Sequence, residues 1–488
     1  MFTRSETSIF SVIMTKRTKI IATIGPASSS AAVIAKLIRA GMDVARLNFS
    51  HGEHADHKKR IRLIRQEAAK AGKQLAIIQD LQGPKIRVGV VEHDAVTLRR
   101  GDPVTVTARQ VAGTGSMFSI TYPRLIKDLK IRETILLDDG RIELTVLKKE
   151  ANTLRCRVIR GGVLKSHKGI NLPGTRLSLP SLSDKDKEDI IFGIEHKVDY
   201  VALSFVRSAD DIENARRFLR KIGTDVPIIA KIEKPEAIQN LDAIISASDG
   251  VMVARGDLGV EMRPEQVPLL QKKIIAACNV AEKPVITATQ MLESMIESPQ
   301  PTRAEASDVA NAILDGTDCV MLSGETAVGK YPVQAVEVMA RIAVETETSL
   351  SPLPPDRHIS GVGESVAHAA CRAAEEQRAE AIVAFTQSGT TALLVSKHRP
   401  TVSIISATPF ENVARRISLY WGVTPIVLTT KRTTDDMIAT VEHAMLKRKL
   451  VKPRDLIVIT AGVPIGVAGS TNMMKIHRVG ERESLESK

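Results

Sequence analysis

The chain has 488 residues, of which 43% are apolar and 25% are charged, and its formal net charge is +12. This length predicts two or three domains with sizeable cores. The aromatic fraction of only 3% argues against stacking-based recognition of single-stranded nucleic acid. Lys and Arg are spread along the chain, and small phosphorylated ligands account for the positive charge as well as nucleic acid would.

The cysteines and the N-terminal segment bear on the cellular compartment. The four cysteines are widely separated and show neither CxxC spacing nor a nearby histidine pattern; they are Cys156, Cys278, Cys319 and Cys371. We therefore expect a reducing, cytoplasmic environment with neither a zinc site nor a disulfide framework. Residues 1–13 lack the apolar core of a signal peptide, so we expect a disordered N-terminal extension, and no later run is suited to crossing a membrane.

Strand-like apolar runs alternate with amphipathic helical segments through much of the chain. Eight runs are predicted as strands, at residues 19–24, 44–49, 75–79, 200–205, 227–230, 250–254, 284–288 and 319–322. Predicted helices between them include 31–39 and 265–281. Eight β/α repeats most economically close into a (β/α)8 barrel, whose chemistry lies at the C-terminal ends of the strands.

One interval interrupts this alternation, between the third strand and a helix predicted to begin near Ser183. It holds short alternating runs at 104–108, 134–137, 143–147 and 154–159, separated by turn signals such as Asp139-Gly140. We predict an inserted small β-barrel domain at 84–180, within a catalytic barrel at 14–83 and 181–350. Because the insertion leaves from the predicted catalytic rim, a lid is the hypothesis and a passive insertion the alternative.

The C-terminal part, residues 351–488, is predicted as a separate domain that begins with the linker sequence SPLPP. Alternating patterns there predict an open α/β sheet of five strands. Its first strand precedes a loop rich in hydroxyls, formed by Thr386, Gln387, Ser388, Gly389, Thr390 and Thr391. A loop of this kind at a helix start binds phosphate through backbone N–H groups, although a simple helix cap also uses Ser and Thr. We favour an anion site, which residues 466–472 would complete.

Charged residues follow two of the predicted barrel strands. Lys231 and Glu233 lie two residues apart at the end of the fifth strand, so their side chains point the same way. Asp257 follows the sixth strand and reaches the same rim if the two strands are parallel neighbours. Taken alone, Lys231 with Glu233 would be interpreted as a surface ion pair, and Asp257 as part of a turn. Together, two carboxylates and a lysine indicate a divalent metal and a substrate that develops negative charge.

Other rim residues fit the same chemistry. Arg46 would neutralise phosphoryl or enolate charge, and Gly256 lets a carboxylate approach the backbone closely. The hydroxyl of Thr289 can bond to a substrate or relay a proton. Such a site suits phosphoryl transfer, in which alignment and charge neutralisation dominate. Spacing alone does not separate this reaction from that of a metal-assisted aldolase.

Sequence blocks along almost the whole chain resemble the pyruvate kinase family. They are TIGPAS at 23–28, RLNFSHG at 46–52, KIE at 231–233, MVARGDLG at 252–259, ATQMLES at 288–294, PTRAE at 301–305 and MLSGET at 321–326. The segment 293–305, interpreted as one helix, is the most specific of these together with the preceding threonine. The resemblance implies transfer of the phosphoryl group of phosphoenolpyruvate to ADP, giving pyruvate and ATP.

The resemblance also implies a role for each matched residue. Lys231 would stabilise the transferring phosphoryl group and the enolate, with Arg46 on the phosphate. Glu233 and Asp257 would hold Mg2+ or Mn2+, and the substrate carboxylate would lie against Gly256, Asp257 and Thr289. Residues that face the nucleotide in the family match Asn48, His51, Arg87 and Lys168. Members are usually homotetramers with a phosphorylated effector on the third domain, and neither nucleic acid nor a membrane is implied as a partner.

The segment QDLQGPKIR at 79–87 departs from many family members, which carry threonine at Leu81 and glutamate at Lys85. Those members bind potassium near Asn48, Ser50, Asp80 and the threonine hydroxyl. Leucine offers no oxygen ligand, and a fixed ammonium repels a second cation. We therefore predict potassium independence, with Lys85 as an internal cation and the three polar residues as framework.

Two rival functions stay open. A Mg2+-dependent aldolase or lyase acting on pyruvate accounts for Lys231, Glu233 and Asp257, but not for the inserted domain or the nucleotide-facing residues. A non-catalytic phosphate- or nucleic-acid-binding protein is suggested by the basic composition. It predicts a lost lysine or carboxylate at the rim, and none is lost.

Overall fold

The computed structural model describes residues 16–175, 180–350, 361–429, 433–463 and 471–481. The expected extension at 1–13, the linker at 351–355 and most of the segment 466–472 lie outside the described residues. The chain divides into two compact units. The first unit contains the described residues up to Gln79, His196–Val201 and those from Ile275 onward. The second unit is Asp80–Glu195 and Ala202–Ile274.

The strands are numbered in chain order. β1–β3 are Lys19–Thr23, Val44–Asn48 and Ala76–Asp80. β4–β11 are Ala95–Leu98, Pro103–Thr107, Met117–Ser119, Thr134–Leu137, Ile142–Lys149, Thr153–Arg160, Gly162–Lys165 and Ile170–Asn171. β12–β16 are Tyr200–Leu203, Ile228–Ile232, Gly250–Ala254, Val285–Ala288 and Cys319–Leu322. β17–β21 are Ala381–Phe385, Ser403–Thr408, Val423–Val427, Leu456–Gly462 and Thr471–Arg478.

Eight parallel strands form the predicted closed barrel, in the order β1-β16-β15-β14-β13-β12-β3-β2. Nearly every residue of these strands is buried, which explains why each is a continuous apolar run instead of an alternating one. Each strand lies within two residues of its predicted position. The difference that affects the site is in β13, which extends to Ile232 and therefore includes Lys231.

The long helices of the barrel begin and end where local signals place them. The helix Ala31–Ala40 begins after Ser30, whose side chain accepts a hydrogen bond from the Val33 N–H, and ends at Gly41 with φ +116°. The other helices are His54–Lys70, Asp184–Glu195, Ala209–Lys221, Pro235–Gln239, Leu241–Ala247, Arg255–Glu261, Val267–Val280, Arg303–Leu314, Gly324–Ala327 and Pro332–Glu347. Within the described ranges, no helix has the length and apolar character needed to cross a membrane.

The prediction of one helix over 293–305 is wrong. A single 3-10 turn, Glu293–Ile296, is followed by extended chain, and an α-helix starts only at Arg303. Pro299 and Pro301 account for the break, because a proline supplies no N–H and disfavours a helical residue before it. Thr302 then caps the second helix by accepting from the Glu305 N–H, and the Glu305 side chain accepts from the Thr302 N–H.

The inserted segment folds around its own apolar core. β5–β9 and β11 form a six-stranded sheet in the order β11-β7-β8-β9-β5-β6, and β4 pairs with β10. Alternating residues of the long strands β8 and β9 are buried, and they pack with Phe118 in this core. A single turn of helix, Leu125–Asp128, lies between β6 and β7.

The C-terminal part forms the predicted five-stranded sheet, in the order β19-β18-β17-β20-β21. The last pair is antiparallel, whereas the others are parallel. Its helices are Val362–Glu376, Thr390–Lys397, Glu411–Arg416 and Thr434–Lys447. Cys371 lies in this part, and all four cysteines of the chain are buried and free.

A repeated aspartate contact joins neighbouring barrel strands at their N-terminal ends. An aspartate just before an even-numbered barrel strand accepts the backbone N–H of a residue on the preceding strand, at 2.8–2.9 Å; the pairs are Asp43–Ile20, Asp199–Ile77, Asp249–Ile228 and Asp318–Val285. The aspartate N–H donates back to the same residue's carbonyl in each pair. Each carboxylate also forms an ion pair with one or two basic side chains. These are Lys16 for Asp43, Arg65 and Arg415 for Asp199, Arg216 for Asp249, and Lys397 and Arg399 for Asp318.

Candidate functional site

Lys231 lies at the centre of a buried polar cluster in the second unit. Its Nζ is 3.0 Å from Asp80 Oδ1 and 2.9 Å from Glu233 Oε1, and it donates to Ser204 Oγ at 2.7 Å. The lysine side chain is 10% exposed, and those of Asp80 and Glu233 are 1% exposed. The alternation of strand side chains therefore brings Lys231 and Glu233 together, as the sequence predicted.

Burial raises the pKa of Glu233 more than the neighbouring Lys231 lowers it. Its burial and the adjacent Asp257 carboxylate raise the pKa of Glu233 to about 7, against the lowering effect of Lys231. Its Oε2 accepts the Phe205 backbone N–H at 2.7 Å. Phe205 adopts φ 57°, a left-handed conformation that a bulky residue rarely takes and that tends to occur at functional sites.

The two carboxylates Glu233 and Asp257 fit a hard divalent cation. Mg2+ prefers oxygen ligands and often takes only one or two protein carboxylates, leaving positions for substrate oxygens and water. Among the residues that the structure describes, no group of three or more His, Cys, Asp or Glu side chains could hold a metal. Burial, and to a smaller extent Asp257, raises the pKa of Glu233, and a cation beside the two carboxylates would favour their charged forms.

Gly256 and Asp257 do not follow β14 as a turn. They lie in the first turn of the helix Arg255–Glu261, which begins directly at the strand end. Both residues are partly exposed, whereas Arg255 is buried and donates to Gln271 Oε1 at 3.2 Å. The helix therefore presents Asp257 where β14 ends.

In the first unit, Arg46 and Thr289 both lie at C-terminal strand ends. Arg46 is in β2, is 9% exposed, and donates from Nη1 to Thr23 Oγ1 at 2.9 Å. Thr23 of β1 in turn donates to Leu322 O of β16 at 2.8 Å, which fixes the hydroxyl that the arginine contacts. Thr289 directly follows β15 with φ 71°, which is an outlier for a β-branched residue.

The predicted nucleotide-facing residues occupy two places. In the inserted segment, Arg87 donates from Nη1 to His167 O at 3.1 Å, and Lys168 Nζ lies 2.7 Å from Asp138 Oδ1. The N–H of Val88, the residue after Arg87, donates to Lys168 O at 2.9 Å. The chain therefore brings Arg87 and Lys168 close together. Asn48 and His51 belong to the first unit, where Asn48 Oδ1 accepts the Ser50 N–H at 3.1 Å and His51 is exposed.

The predicted internal cation does not pair with Asp80. Lys85 makes no ion pair among the described residues, and it lies beside Gly169, where an added Cβ would be 3.1 Å from Lys85 Cε. The ammonium that pairs with Asp80 is Lys231. Leu81 is 1% exposed, and its side chain contributes no oxygen next to Asp80.

The hydroxyl-rich loop of the C-terminal sheet is held by its own side chains. Thr386 Oγ1 accepts the Gly389 N–H at 2.9 Å, and the hydroxyls of Ser388 and Thr390 are 2.9 Å apart. Gly389 has φ +100°, a conformation that favours glycine. The Thr391 hydroxyl lies 2.7 Å from that of Thr471, so the first residue of β21 does reach the loop.

Sequence reasoning missed several residues around the lysine. Ser204 and Phe205 contact Lys231 and Glu233, and their position after β12 was the available signal. Lys234 pairs with Glu261, which also accepts from Asn171 Nδ2 at 2.9 Å. No local pattern indicated this last contact.

Comparison with known proteins places the chain in a family. A family profile described as pyruvate kinase, barrel domain, matches residues 15–336, and one described as pyruvate kinase, alpha/beta domain, matches residues 364–477. A pyruvate kinase from Staphylococcus haemolyticus is 48% identical over 96% of this chain and 81% of its own length. Pyruvate kinase 2 from a Synechocystis species is 49% identical over 95% of this chain and 79% of its own length.

A solved structure agrees with these sequence matches. The crystal structure of a pyruvate kinase from Cryptosporidium parvum superposes with a TM-score of 0.90 at 38% identity, covering 98% of this chain and 100% of that chain. The same barrel and C-terminal α/β domains are therefore found by both comparisons. The chain belongs to the pyruvate kinase family of phosphotransferases.

Proposed function

We propose that the protein transfers the phosphoryl group of phosphoenolpyruvate to ADP, with Mg2+, in the last step of glycolysis. The observation that carries this proposal is the buried Lys231 ammonium, held within 3.0 Å of both Asp80 and Glu233 beside Asp257. A fixed positive charge at a water-poor site stabilises charge that develops during phosphoryl transfer.

The reaction needs two bond changes and one proton. An oxygen of the ADP β-phosphate attacks the phosphorus of phosphoenolpyruvate, and the bond from phosphorus to the enol oxygen breaks. The electron pair of that bond stays on the enolate, which gains a proton at its methylene carbon to give pyruvate. Lys231 would offset the charge on the phosphoryl group and the enolate oxygen, since its position is fixed by three partners.

The remaining roles follow from the family motifs. Arg46 would contact the phosphate, and Thr289 together with the Gly256 and Asp257 backbone would hold the substrate carboxylate. Glu233 and Asp257 would bind Mg2+ or Mn2+, which when bound supplies charge neutralisation for the phosphoryl oxygens. Thr289 and Phe205 have strained left-handed backbone conformations. Such conformations cluster at active sites, which supports a functional role for these two positions.

We assign residues 84–180 as a lid domain that contributes nucleotide contacts, flanked by a catalytic barrel at 14–83 and 181–350. Lys168 and Arg87 are neighbours in this domain, and both carry charges suited to ADP phosphates. Asn48 and His51 would complete the nucleotide site.

We further infer that catalysis requires no potassium. The support is Leu81, which is buried and has no side-chain oxygen where many family members have a threonine hydroxyl. Asn48, Ser50 and Asp80 would remain as polar framework. Lys85, which makes no ion pair with Asp80, would contribute its charge from its place beside Gly169.

The C-terminal loop 386–391 is proposed as the site of a phosphorylated effector in a homotetrameric enzyme. Backbone N–H groups at the start of the helix Thr390–Lys397 and hydroxyls held in place by mutual hydrogen bonds suit a phosphate. Sugar phosphates and nucleoside monophosphates share that chemistry.

A coupled assay tests the main proposal. Purified protein with phosphoenolpyruvate, ADP and Mg2+ should form pyruvate and ATP in equal amounts, and omission of ADP should stop both products. Pyruvate release without ATP would instead favour a lyase or phosphatase. Absence of ATP formation, with and without a panel of sugar phosphates, would exclude the proposed function.

A further inference from the structure

We propose that Glu261 is a positioning residue that ties the inserted β domain to both metal-binding carboxylates. This inference rests on the proposed function for the roles of Glu233 and Asp257. All residues involved belong to the second unit.

Glu261 is the last residue of the helix Arg255–Glu261, whose first turn contains Asp257. Its side chain is only 1% exposed and pairs with the ammonium of Lys234, the residue that follows Glu233. Asp257 and Glu261 are four residues apart on one short helix, so a contact that anchors Glu261 also restrains the helix that carries Asp257. The ion pair therefore links the two segments that supply the carboxylates.

The inserted domain contacts the same Glu261 oxygen, Oε1, that pairs with Lys234. Asn171, at the end of β11, donates from Nδ2 to Glu261 Oε1 at 2.9 Å, and Asn171 is itself 7% exposed. Lys234 and Asn171 thus share one acceptor atom. Glu261 Oε2 is buried and has no hydrogen-bond partner among the described residues, so the three-residue contact depends entirely on Oε1.

Two further contacts support the link. The Lys234 ammonium lies 5.8 Å from the centre of the Phe205 ring, within the range of a cation–π interaction, and the Phe205 N–H donates to Glu233. The β7–β8 turn also approaches the helix, since a Cβ added to Gly140 would be 3.7 Å from Val260 Cγ1. The inserted domain therefore meets the Asp257 helix at two neighbouring positions.

The consequence is reciprocal coupling between the lid and the metal site. Asn171 lies three residues after Lys168, one of the proposed nucleotide contacts. If docking of Asn171 holds Lys234 and the Asp257 helix, then loosening that contact must weaken binding of a cation between Glu233 and Asp257. A purely structural role for Glu261 would lower thermal stability without changing cation affinity.

Binding of Mn2+ alone to the full-length protein tests this without turnover. Free Mn2+ is measured by electron paramagnetic resonance for the wild type, Asn171→Ala, Glu261→Gln and the double variant. Asn171→Ala should weaken Mn2+ binding by at least about threefold, and Glu261→Gln by at least about fivefold, the lower end of coupling between sites. The double variant should match Glu261→Gln, because Asn171 acts only through the Glu261 carboxylate that also pairs with Lys234, and that charge is already lost in Glu261→Gln.

Matched controls are Asn152→Ala and Glu265→Gln, which change exposed residues of the same types and should retain wild-type affinity. Wild-type Mn2+ affinity in Asn171→Ala, or multiplicative effects in the double variant, would overturn the proposal. The outcome is independent of catalysis: a protein that forms no ATP but shows the coupled Mn2+ effects would refute the proposed function and retain the Glu261 link.

Discussion

Lys231 Nζ lies 2.9 Å from Glu233 Oε1, with the carboxylate 1% exposed and the lysine 10% exposed. The proposed phosphoryl-stabilising cation and a proposed metal ligand are therefore direct partners. The lysine lowers the pKa of Glu233, although burial raises that pKa by more. Asp80 and Ser204 also contact the ammonium, so protein side chains fix its position.

Substitution Lys231→Met should lower kcat by about 10²- to 10³-fold or more, the usual effect of removing a preorganised stabilising group. The fold should persist, because the pKa of Glu233 is already raised to about 7 by burial and Asp257 and the acid can take up a proton in place of the lost partner. Steady-state rates and circular dichroism measure the two effects. The exposed Lys221→Met is the control, and a Lys231→Met enzyme with most of its activity would contradict the assigned role.

Replacing K+ by tetramethylammonium at equal ionic strength should leave kcat nearly unchanged, because Leu81 supplies no side-chain oxygen to a monovalent cation. The variant Leu81→Thr/Lys85→Glu should instead gain activation by K+ of about tenfold, equivalent to about 1.4 kcal/mol. Initial rates over a K+ titration measure both. A strong K+ requirement in the wild type would refute potassium independence.

Substitution Ser388→Glu should abolish the response to a phosphorylated effector, since a carboxylate in the loop repels phosphate. The measurement is the ratio of activity with and without each compound, across sugar phosphates and nucleoside monophosphates. Ser403→Glu adds the same charge at an exposed position of the same sheet and should keep the wild-type ratio. An unchanged ratio in Ser388→Glu would remove the loop from regulation.

Asp318→Asn should destabilise the protein by about 3–5 kcal/mol, the usual cost of breaking a buried ion pair by removing one partner. Asp318 binds Lys397 at 2.6 Å and Arg399 at 2.8 Å, and both Asp318 and Lys397 are 1% exposed. Burial already lowers the pKa of Lys397, so loss of the carboxylate leaves that ammonium without its main compensation. Chemical denaturation measures the change, and the exposed Asp225→Asn should have almost no effect.

Lys19 should make stability rise with pH above about 8. Burial lowers the pKa of Lys19 from 10.5 to about 8, so between these values the folded protein has lost a proton that the unfolded chain still holds. Stability therefore increases as pH rises through this window, by up to about 3 kcal/mol, and the full burial cost is present below pH 8. The difference in unfolding free energy between the wild type and Lys19→Met isolates this effect. A pH-independent difference would show that Lys19 does not titrate there.

The barrel could be predicted from sequence because its strands are buried on both faces, which makes each a continuous apolar run. The same argument located Lys231, Glu233 and Asp257 at strand ends. Prediction failed for 293–305, where helix-forming residues on both sides obscured the effect of Pro299 and Pro301.

The sequence by itself determined the barrel strands to within two residues, the residue types at the strand ends and the family resemblance, since these depend on local pattern. Only the tertiary structure decided that Asp80 pairs with Lys231 instead of Lys85, and that Asn171 and Lys234 converge on Glu261. Lys397 and Asp318 are 79 residues apart in the chain. Contacts of this kind join parts of the chain that are far apart in sequence, and periodicity, which reports only which face of an element is buried, carries no record of them.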